Sequence, residues 1–132
     1  MSQNLFCFLY YSHIAPDVPV SCVADIVKTA RSFNLQHEVT GMLIFDGQRF
    51  AQYIEGPEQA IQGLIYRISS DLRHHQVVPL LHAPLEGARR FERWSMAYVL
   101  VEEQEPINEL AGLPAQAALH HFVQMQPMLD IA

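Results

Sequence analysis

The stretch that most constrains the fold is residues 40–56, which reads TGMLIFDGQRFAQYIEG. Residues 42–45 form an apolar, strand-like run, and residues 49–55 alternate with a period of two. Between them, Asp46 and Gly47 supply the positive φ that tight hairpin turns need. The sequence therefore predicts a β-hairpin near the middle of the chain.

Gln52 is the residue of this hairpin that places the strongest demand on its surroundings. Period two puts Phe50, Gln52 and Ile54 on one face of the strand, with Ala51 and Tyr53 on the other. If the two apolar neighbours face a core, the amide faces it too. Burying an amide without partners costs about 1–3 kcal/mol. We therefore expect Gln52 to have specific hydrogen-bond partners.

Length and charge restrict the class of protein. A chain of 132 residues fits one domain, and 50% apolar with 17% charged residues favours a folded chain. The net charge of −6 argues against nucleic acid or an anionic membrane as a partner. No apolar run reaches the roughly 18 residues of a transmembrane helix. The first residues, MSQNLF, lack the basic region and the long apolar region of a signal peptide, so we expect none. These features predict a cytoplasmic location.

Sequence motifs for metal binding or for catalysis are absent. The 7 histidines include adjacent pairs at 74–75 and 120–121 but no H-x-x-x-H spacing, so we expect no metal site and mostly solvated histidines. No G-x-S-x-G, G-x-G-x-x-G or P-loop occurs. Cys7 and Cys22 form no C-x-x-C motif. Two free thiols fit a reducing cytoplasm, and the sequence leaves undecided whether the two cysteines form a disulfide.

The order of predicted elements indicates an α+β fold. Residues 5–11 form a strand that is apolar on both faces, as expected for a central strand, and residues 20–33 carry a helical stripe. After the hairpin come a helix from Pro57 to about residue 70, a polar connection over 71–76, and strands at 77–81 and 94–101. This is the ferredoxin-like β-α-β-β-α-β pattern plus one additional strand.

The C-terminal part of the chain is predicted to be a helical cap. Two helices on the same type of crossover cover one sheet face, which leaves the other face of the apolar first strand exposed. A polar break at residues 102–106 is followed by apolar positions suited to one or two short helices. We therefore divide the chain into residues 1–101 and a C-terminal segment, 102–132, that lies on the opposite sheet face.

Several polar groups on otherwise apolar elements are candidates for a site. Each has a structural interpretation: a buried tyrosine bonded to a carbonyl, an anchoring tryptophan, a gap-filling methionine, or an asparagine capping the first helix. Because four of them lie on strands of one sheet, they are able to converge. The candidates are Tyr10, Asn34, Gln52, Trp94 and Met96.

Taken together, these segments resemble the BLUF domain, the blue-light-sensing flavin-binding family. The resemblance covers about residues 4–101, and the order and spacing of all the segments match. Phe33 and Ala51 differ from the residue types that are frequent in the family at those positions. Neither belongs to the five candidate residues named above. The matching segments are FLYYS at 8–12, the asparagine at 34, the hairpin at 40–56, DLRHHQVV at 71–78 and RRFERWSMAYV at 89–99.

The resemblance implies a role for each matching residue. Tyr10 corresponds to the photoactive tyrosine, Gln52 to the essential glutamine, and Asn34 to the flavin-binding asparagine. Trp94 and Met96 correspond to the tryptophan and methionine of the last strand. The basic pair near the cofactor falls on Arg73 and His74. The implied cofactor is FAD, bound non-covalently between the two helices that flank the sheet.

The resemblance also implies a mechanism and a kind of partner. Excited flavin takes an electron and a proton from Tyr10, and Gln52 changes its hydrogen bonds by rotation or tautomerisation, which shifts the absorption to the red. The signal then passes through Trp94 and Met96 to residues 102–132. With about 30 residues after the sensor, output is expected through a separate effector protein or through self-association, as a dimer, and not through an enzymatic activity.

Two other interpretations remain open on the sequence. One is a flavin-dependent oxidoreductase, which no nicotinamide-binding motif supports. The other is a light-insensitive interaction domain that shares the ferredoxin-like fold. Purified protein that lacks colour and fails to take up FAD favours the second, and rapid reduction of the flavin by NADPH in the dark favours the first.

Overall fold

The protein is built around one six-stranded sheet with strand order β4-β1-β3-β2-β5-β6. The computed structural model describes residues 4–19, 21–45, 48–98, 110, 113–125 and 130–131. The elements in chain order are β1 (Leu5–Ile14), α1 (Cys22–Gln36), β2 (Thr40–Phe45), β3 (Arg49–Pro57), α2 (Glu58–Ser70), β4 (His74–Pro84), β5 (Trp94–Tyr98), α3 (Ala115–Met125) and β6 (Asp130–Ile131).

The first four strands confirm the predicted ferredoxin-like arrangement. β1 lies between β3 and β4 and pairs antiparallel with both, and β2 pairs antiparallel with β3. The predicted additional strand is β5, which adds parallel to β2, and the two-residue strand β6 pairs with β5. This order places β1 and β3 side by side in the interior of the sheet, each with a neighbouring strand on both sides.

The β2–β3 hairpin forms in the register that the alternation predicts. Phe45 pairs with Phe50, and Leu43 pairs with Gln52. The turn residues Asp46 and Gly47 lie outside the described residues. At the other end of β2, Gly41 has φ +146°, and a Cβ there would lie 1.9 Å from the carbonyl oxygen of Tyr53. Close approach of the two strands thus requires glycine at this position.

The two faces of the sheet carry separate apolar cores, as the period-two pattern predicts. Phe8 and Tyr10 from β1 pack with Phe50 and Ile54 from β3 on the face covered by α1 and α2. On the opposite face, Cys7, Leu9, Ala51 and Tyr53 pack with the C-terminal part of the chain through Leu110, Ala118, Leu119 and Phe122. The predicted position of the C-terminal helical segment is therefore confirmed.

Two local predictions are wrong. Asn34 does not end α1, because the helix continues to Gln36 and its C-cap is His37, followed by Glu38 at φ 59°. The polar connection predicted at 71–76 is shorter than expected, because β4 already begins at His74. There, His74 and His75 pair with the end of β1, so tertiary pairing outweighs the low strand propensity of this polar stretch.

Two further features concern the cysteines and the helices. Cys7 is buried and Cys22 is half-buried, and both are free thiols, which resolves the open question of a disulfide between them. None of the helices in the described part of the chain has the length and apolar content needed to cross a membrane.

Candidate functional site

A cavity of about 380 Å³ opens between α1 and α2, above the face of the sheet that those helices cover. Its size lies within the range of small-molecule and cofactor pockets, roughly 300–1,000 Å³. The sheet contributes Tyr10, Leu43, Phe50 and Gln52 to the lining. The helices contribute Ile26, Thr29, Ala30, Phe33 and Asn34 from α1 and Leu64, Tyr66, Arg67, Ile68 and Ser70 from α2.

A chain of three hydrogen-bonded side chains lies on the sheet at this cavity. Tyr10 and Gln52 are direct cross-strand partners on β1 and β3, and the amide Nε2 of Gln52 donates to the Tyr10 hydroxyl at 2.7 Å. The indole Nε1 of Trp94, at the start of β5, donates to Oε1 of Gln52 at 3.0 Å. The partners expected for the buried amide are thus a phenol and an indole.

The tryptophan fixes which way the Gln52 amide points. An indole N–H is a donor only, so the amide end facing Trp94 must be the oxygen, and the nitrogen must face Tyr10. The amide group has two N–H donors, and the bond to Tyr10 uses one of them. Gln52 is only 7% exposed, so its remaining N–H needs an acceptor inside the protein or in a bound molecule.

Tyr10 is held as a neutral phenol. Burial raises the pKa of its hydroxyl well above the ordinary value, because desolvation disfavours the phenolate. The hydrogen bond from Gln52 acts in the opposite direction but does not offset burial, and the negative charge of Asp71 raises the pKa further. The group next to the amide is therefore an electron-rich, protonated ring at neutral pH.

Asn34 presents an unsatisfied polar atom to the cavity. It is 1% exposed, lies inside α1, and its side-chain oxygen has no hydrogen-bond partner within the described structure. An unpaired buried carbonyl of this kind costs about 1–3 kcal/mol, and buried polar groups in proteins nearly always have a partner. An orphan acceptor that lines a cavity is the feature expected where a ligand supplies the donor.

Arg73 and Asp71 form a paired charge at the edge of the cavity. Nε of Arg73 donates to Oδ1 of Asp71 at 2.9 Å, and one terminal nitrogen donates to Oδ2 at 2.7 Å. Burial raises the pKa of Asp71, but the hydrogen bonds and charge of Arg73 outweigh it, so the pKa lies below its usual range. The pair therefore stays ionised and holds the guanidinium in one orientation at the rim.

His74 is neutral, and its hydrogen bonds assign the tautomer. Nε2 lies 2.7 Å from the carbonyl oxygen of Ile68, so Nε2 carries the proton, and Nδ1 accepts from the buried hydroxyl of Ser12 at 2.8 Å. Burial lowers the pKa of the ring below its ordinary value. The expectation that the histidines are mostly solvated is wrong for His74, whose two nitrogens are both occupied by the protein.

The structure brings most of the predicted site residues to this one cavity. Trp94 lies behind Gln52, with the guanidinium of Arg31 5.8 Å above its ring. Met96 lies in β5, and its backbone pairs with that of Leu43 in β2. The side chain of Met96 lies outside the described part of the structure. The predicted residues that line the cavity are Tyr10, Asn34, Gln52, Arg73 and His74.

Sequence reasoning missed two kinds of residue at the cavity. One kind is the apolar wall formed by Ile26, Leu43 and Leu64; the hydrophobic period does not distinguish a face that packs in a core from a face that lines a cavity. The other is Asp71, which lies in the predicted polar connection; an acid two residues before Arg73 is a signal for a local ion pair. Among the described residues, no group of histidine, cysteine and acidic side chains is arranged to hold a metal ion.

The residues at the cavity fit a flavin. The ring system of a flavin has an edge on which an N–H donor lies between two carbonyl acceptors, flanked by flat apolar surface. The side-chain oxygen of Asn34 lacks a donor, and the amide of Gln52 has an N–H in need of an acceptor. The apolar side chains of the two helices suit the flat surface. The cavity thus offers the polar partners and the apolar walls that a flavin requires.

The chain is similar to proteins whose descriptions name a response to light. A blue light- and temperature-regulated antirepressor of Escherichia coli is 40% identical over 94 residues, which cover 70% of this chain and 23% of that protein. A photoactivated adenylate cyclase subunit beta of Euglena gracilis is 35% identical over 96 residues, covering 73% and 11% respectively. This chain therefore spans less than a quarter of the length of those relatives.

The fold and the family agree with each other. The dark-state structure of BlrB, a BLUF protein, superposes with a TM-score of 0.76 at 31% identity and covers 94% of this chain and 96% of that one. The family described as BLUF, sensors of blue light using FAD, matches residues 5–97. The chain belongs to the BLUF family of flavin-binding blue-light sensors.

Proposed function

We propose that this chain holds FAD in the cavity between α1 and α2 and reports blue light through the hydrogen bonds of Gln52. The observation that carries the proposal is the buried chain of hydrogen bonds from Tyr10 through Gln52 to Trp94, at a cavity that also contains the orphan oxygen of Asn34. The family description supports FAD as the form of flavin.

In this proposal Tyr10 is the electron donor. A bound flavin absorbs blue light and, once excited, is a strong oxidant. Tyr10 is suited to respond because its phenol is neutral, buried and hydrogen-bonded to the amide 2.7 Å away. Once the phenol has lost an electron to the flavin, its oxygen is a poor acceptor and its proton is strongly acidic, so the proton would follow the electron to the flavin. Both would return to Tyr10 when the charges recombine. The N–H of Gln52 then loses its partner, and the amide is released from its dark orientation.

Any switched form of the Gln52 amide disturbs Trp94. If the amide rotates, its nitrogen faces the indole Nε1, and two donors then oppose each other. If the amide becomes its imidic tautomer, Oε1 carries a proton and is a weaker acceptor. Losing this neutral hydrogen bond costs about 0.5–1.5 kcal/mol, enough to shift a two-state equilibrium several-fold. Trp94 is the first residue of β5, so the change at Gln52 in β3 reaches β5, which lies two strands away in the sheet.

Output through residues 102–132 is also part of the proposal. The face of the sheet opposite the cavity packs on α3, whose residues Gln116, Ala117 and His120 are exposed. We propose that light alters this segment and that a separate effector protein or a second copy of the chain, in a dimer, reads it. In this reading the chain acts as a cytoplasmic sensor without an enzymatic reaction of its own and without a nucleic-acid or membrane partner.

Absorption spectroscopy with a tyrosine variant tests the switch. Purified protein is expected to be yellow and to shift its absorption reversibly to the red under blue light, and Tyr10→Phe is expected to bind flavin without that shift. A full reversible shift in Tyr10→Phe refutes the role of Tyr10. Chromatography of the flavin released by acid is expected to give FAD, and FMN or riboflavin as the main species contradicts that assignment.

Size-exclusion chromatography tests the output. A dimer is expected, and its elution volume is expected to differ between dark and blue light if self-association carries the signal. An unchanged dimer leaves a separate effector as the reader. A monomer in both conditions contradicts the dimer.

A further inference from the structure

A second buried polar cluster lies directly below the switch, on the opposite face of the same strand. Tyr53 and Glu55 of β3 are both 0% exposed, and the hydroxyl of Tyr53 donates to Oε2 of Glu55 at 2.9 Å. Burial, followed by the negative charge of Glu55, raises the pKa of Tyr53, so the phenol remains a donor. A carboxylate in a fully buried place requires donors on both of its oxygens.

The other donor comes from the segment that leads into β5, which we call the pre-β5 segment (residues 89–93). The backbone N–H of Phe91 donates to Oε1 of Glu55 at 2.8 Å, and the hydroxyl of Thr40 lies 3.4 Å from the same oxygen. The ring of Phe91 packs on Tyr53 with centroids 5.6 Å apart. The middle of the pre-β5 segment is thus attached to β3 through one carboxylate and one ring.

Contacts at both ends complete the attachment. A terminal nitrogen of Arg89 donates to the hydroxyl of Thr40 at 2.9 Å and to the backbone carbonyl of Glu55 at 3.2 Å. At the other end, the carbonyl of Arg93 accepts from the N–H of Gly41 at 3.2 Å. Trp94 follows immediately, and only two residues separate it from Phe91. The attachment therefore restricts where Trp94 can lie.

We propose that Glu55 is the positioning residue for Trp94: it anchors the pre-β5 segment from below so that the indole reaches Gln52 from above. Glu55 and Gln52 lie three positions apart on β3 and point to opposite faces of the sheet. Trp94 is therefore held by the same strand from both sides. This inference rests on the proposed switch at Gln52 but concerns a residue outside the cavity.

The same cluster also reaches the C-terminal helix. The ring of Tyr53 packs against Phe122 of α3 with centroids 6.3 Å apart. A displacement of Trp94 also displaces the pre-β5 segment, which is hydrogen-bonded to Glu55 and packed on the ring of Tyr53 through Phe91. The cluster therefore offers a physical route by which a change at Gln52 reaches α3.

The test uses the fact that Trp94 is the single tryptophan of the chain. Quenching of its fluorescence by acrylamide, in the dark with flavin bound, reports how firmly the indole is held. Glu55→Met keeps the volume but removes the acceptor oxygens, whereas Glu55→Gln keeps an acceptor for Phe91. We expect the fraction of molecules whose indole has left Gln52 and is accessible to acrylamide to rise roughly fivefold or more in Glu55→Met, as for loss of a buried hydrogen bond. In Glu55→Gln this fraction is expected to stay near the wild-type value.

A double-variant cycle separates positioning from general loosening. If Glu55 acts through Trp94, Glu55→Met changes the rate of dark recovery after blue light in the wild type but not in a Trp94→Phe background. Leu81→Ala is the matched control, since it loosens the same apolar core from β4, at the other edge of the sheet. It is expected to lower thermal stability without changing the quenching of Trp94.

Each outcome decides for or against the proposal. Unchanged quenching in Glu55→Met, or equal changes in Glu55→Met and Leu81→Ala, overturns it. If Glu55→Met does not fold, Glu55→Leu takes its place, because it also removes both side-chain oxygens that bond to Phe91 and Tyr53; unchanged quenching there also overturns the proposal. The dark quenching measurement is independent of photochemistry. A wild type that lacks a light-induced shift therefore refutes the proposed function, not the attachment.

Discussion

Replacing Asn34 with leucine is expected to have opposite effects on the flavin-free and the flavin-bound protein. In the structure Asn34 is 1% exposed inside α1, and its side-chain oxygen has no partner within the described residues. In the flavin-free protein this unpaired buried oxygen lowers the free energy of unfolding. With flavin bound, the same atom accepts a hydrogen bond in our proposal. Asn34→Leu removes the cost in the first state and the bond in the second.

The magnitude follows from the two contributions. Removing an unpaired buried carbonyl recovers about 1–3 kcal/mol, and leucine exceeds asparagine in helix propensity by roughly 0.5 kcal/mol. We therefore expect the free energy of unfolding of the flavin-free protein to rise by about 1.5–3.5 kcal/mol. In the complex, a flavin donor is left unpaired, so the dissociation constant is expected to rise about tenfold or more.

Urea unfolding of the flavin-free protein and a flavin fluorescence titration measure the two effects. Ser32→Leu is the control, because Ser32 is exposed on the same helix and reports the propensity gain alone. It is expected to leave flavin affinity unchanged. If Asn34→Leu destabilises the flavin-free protein and leaves the affinity unchanged, Asn34 is a structural residue and the reasoning is refuted.

Two further predictions concern pH and the hairpin. Because burial lowers the pKa of His74 from 6.5, the unfolded chain binds a proton that the folded chain does not, so the free energy of unfolding should fall as pH drops below that value. Urea unfolding across pH should show a shallower fall in His74→Gln, and equal slopes contradict the prediction. Gly41→Ala should destabilise by more than about 2 kcal/mol because of the clash with Tyr53. Gly63→Ala in α2, where a Cβ meets nothing within 4 Å, should stabilise by up to about 1 kcal/mol; similar thermal shifts in both variants contradict this account.

Much of the fold was predictable because the hydrophobic pattern has few physical solutions. The alternation from Phe50 to Ile54 fixes which face of β3 meets the helices, and the doubly apolar β1 requires a cover on both faces. The prediction that Gln52 needs partners follows from the cost of burying an amide. Its partners, Tyr10 and Trp94, lie on other strands, so their identity depends on a register that the sequence pattern does not specify.

The parts that escaped prediction depend on tertiary contacts. Asn34 has the sequence context of a helix cap, and only the cavity beside it explains why it lies inside α1. Glu55 falls on the Tyr53 face by the same period of two, yet an acid at a strand end is usually solvated. Its burial is stabilised by Phe91, 36 positions later in the chain, and no local pattern contains that contact.

In the proposed function, the amide of Gln52 is the element that light switches. The most direct measurement is the difference between absorption spectra recorded before and after blue light for Gln52→Leu, with flavin bound. We expect this variant to bind flavin, remain yellow and show no reversible red shift, whereas the unaltered chain shows one. A full and reversible shift in Gln52→Leu would contradict the account.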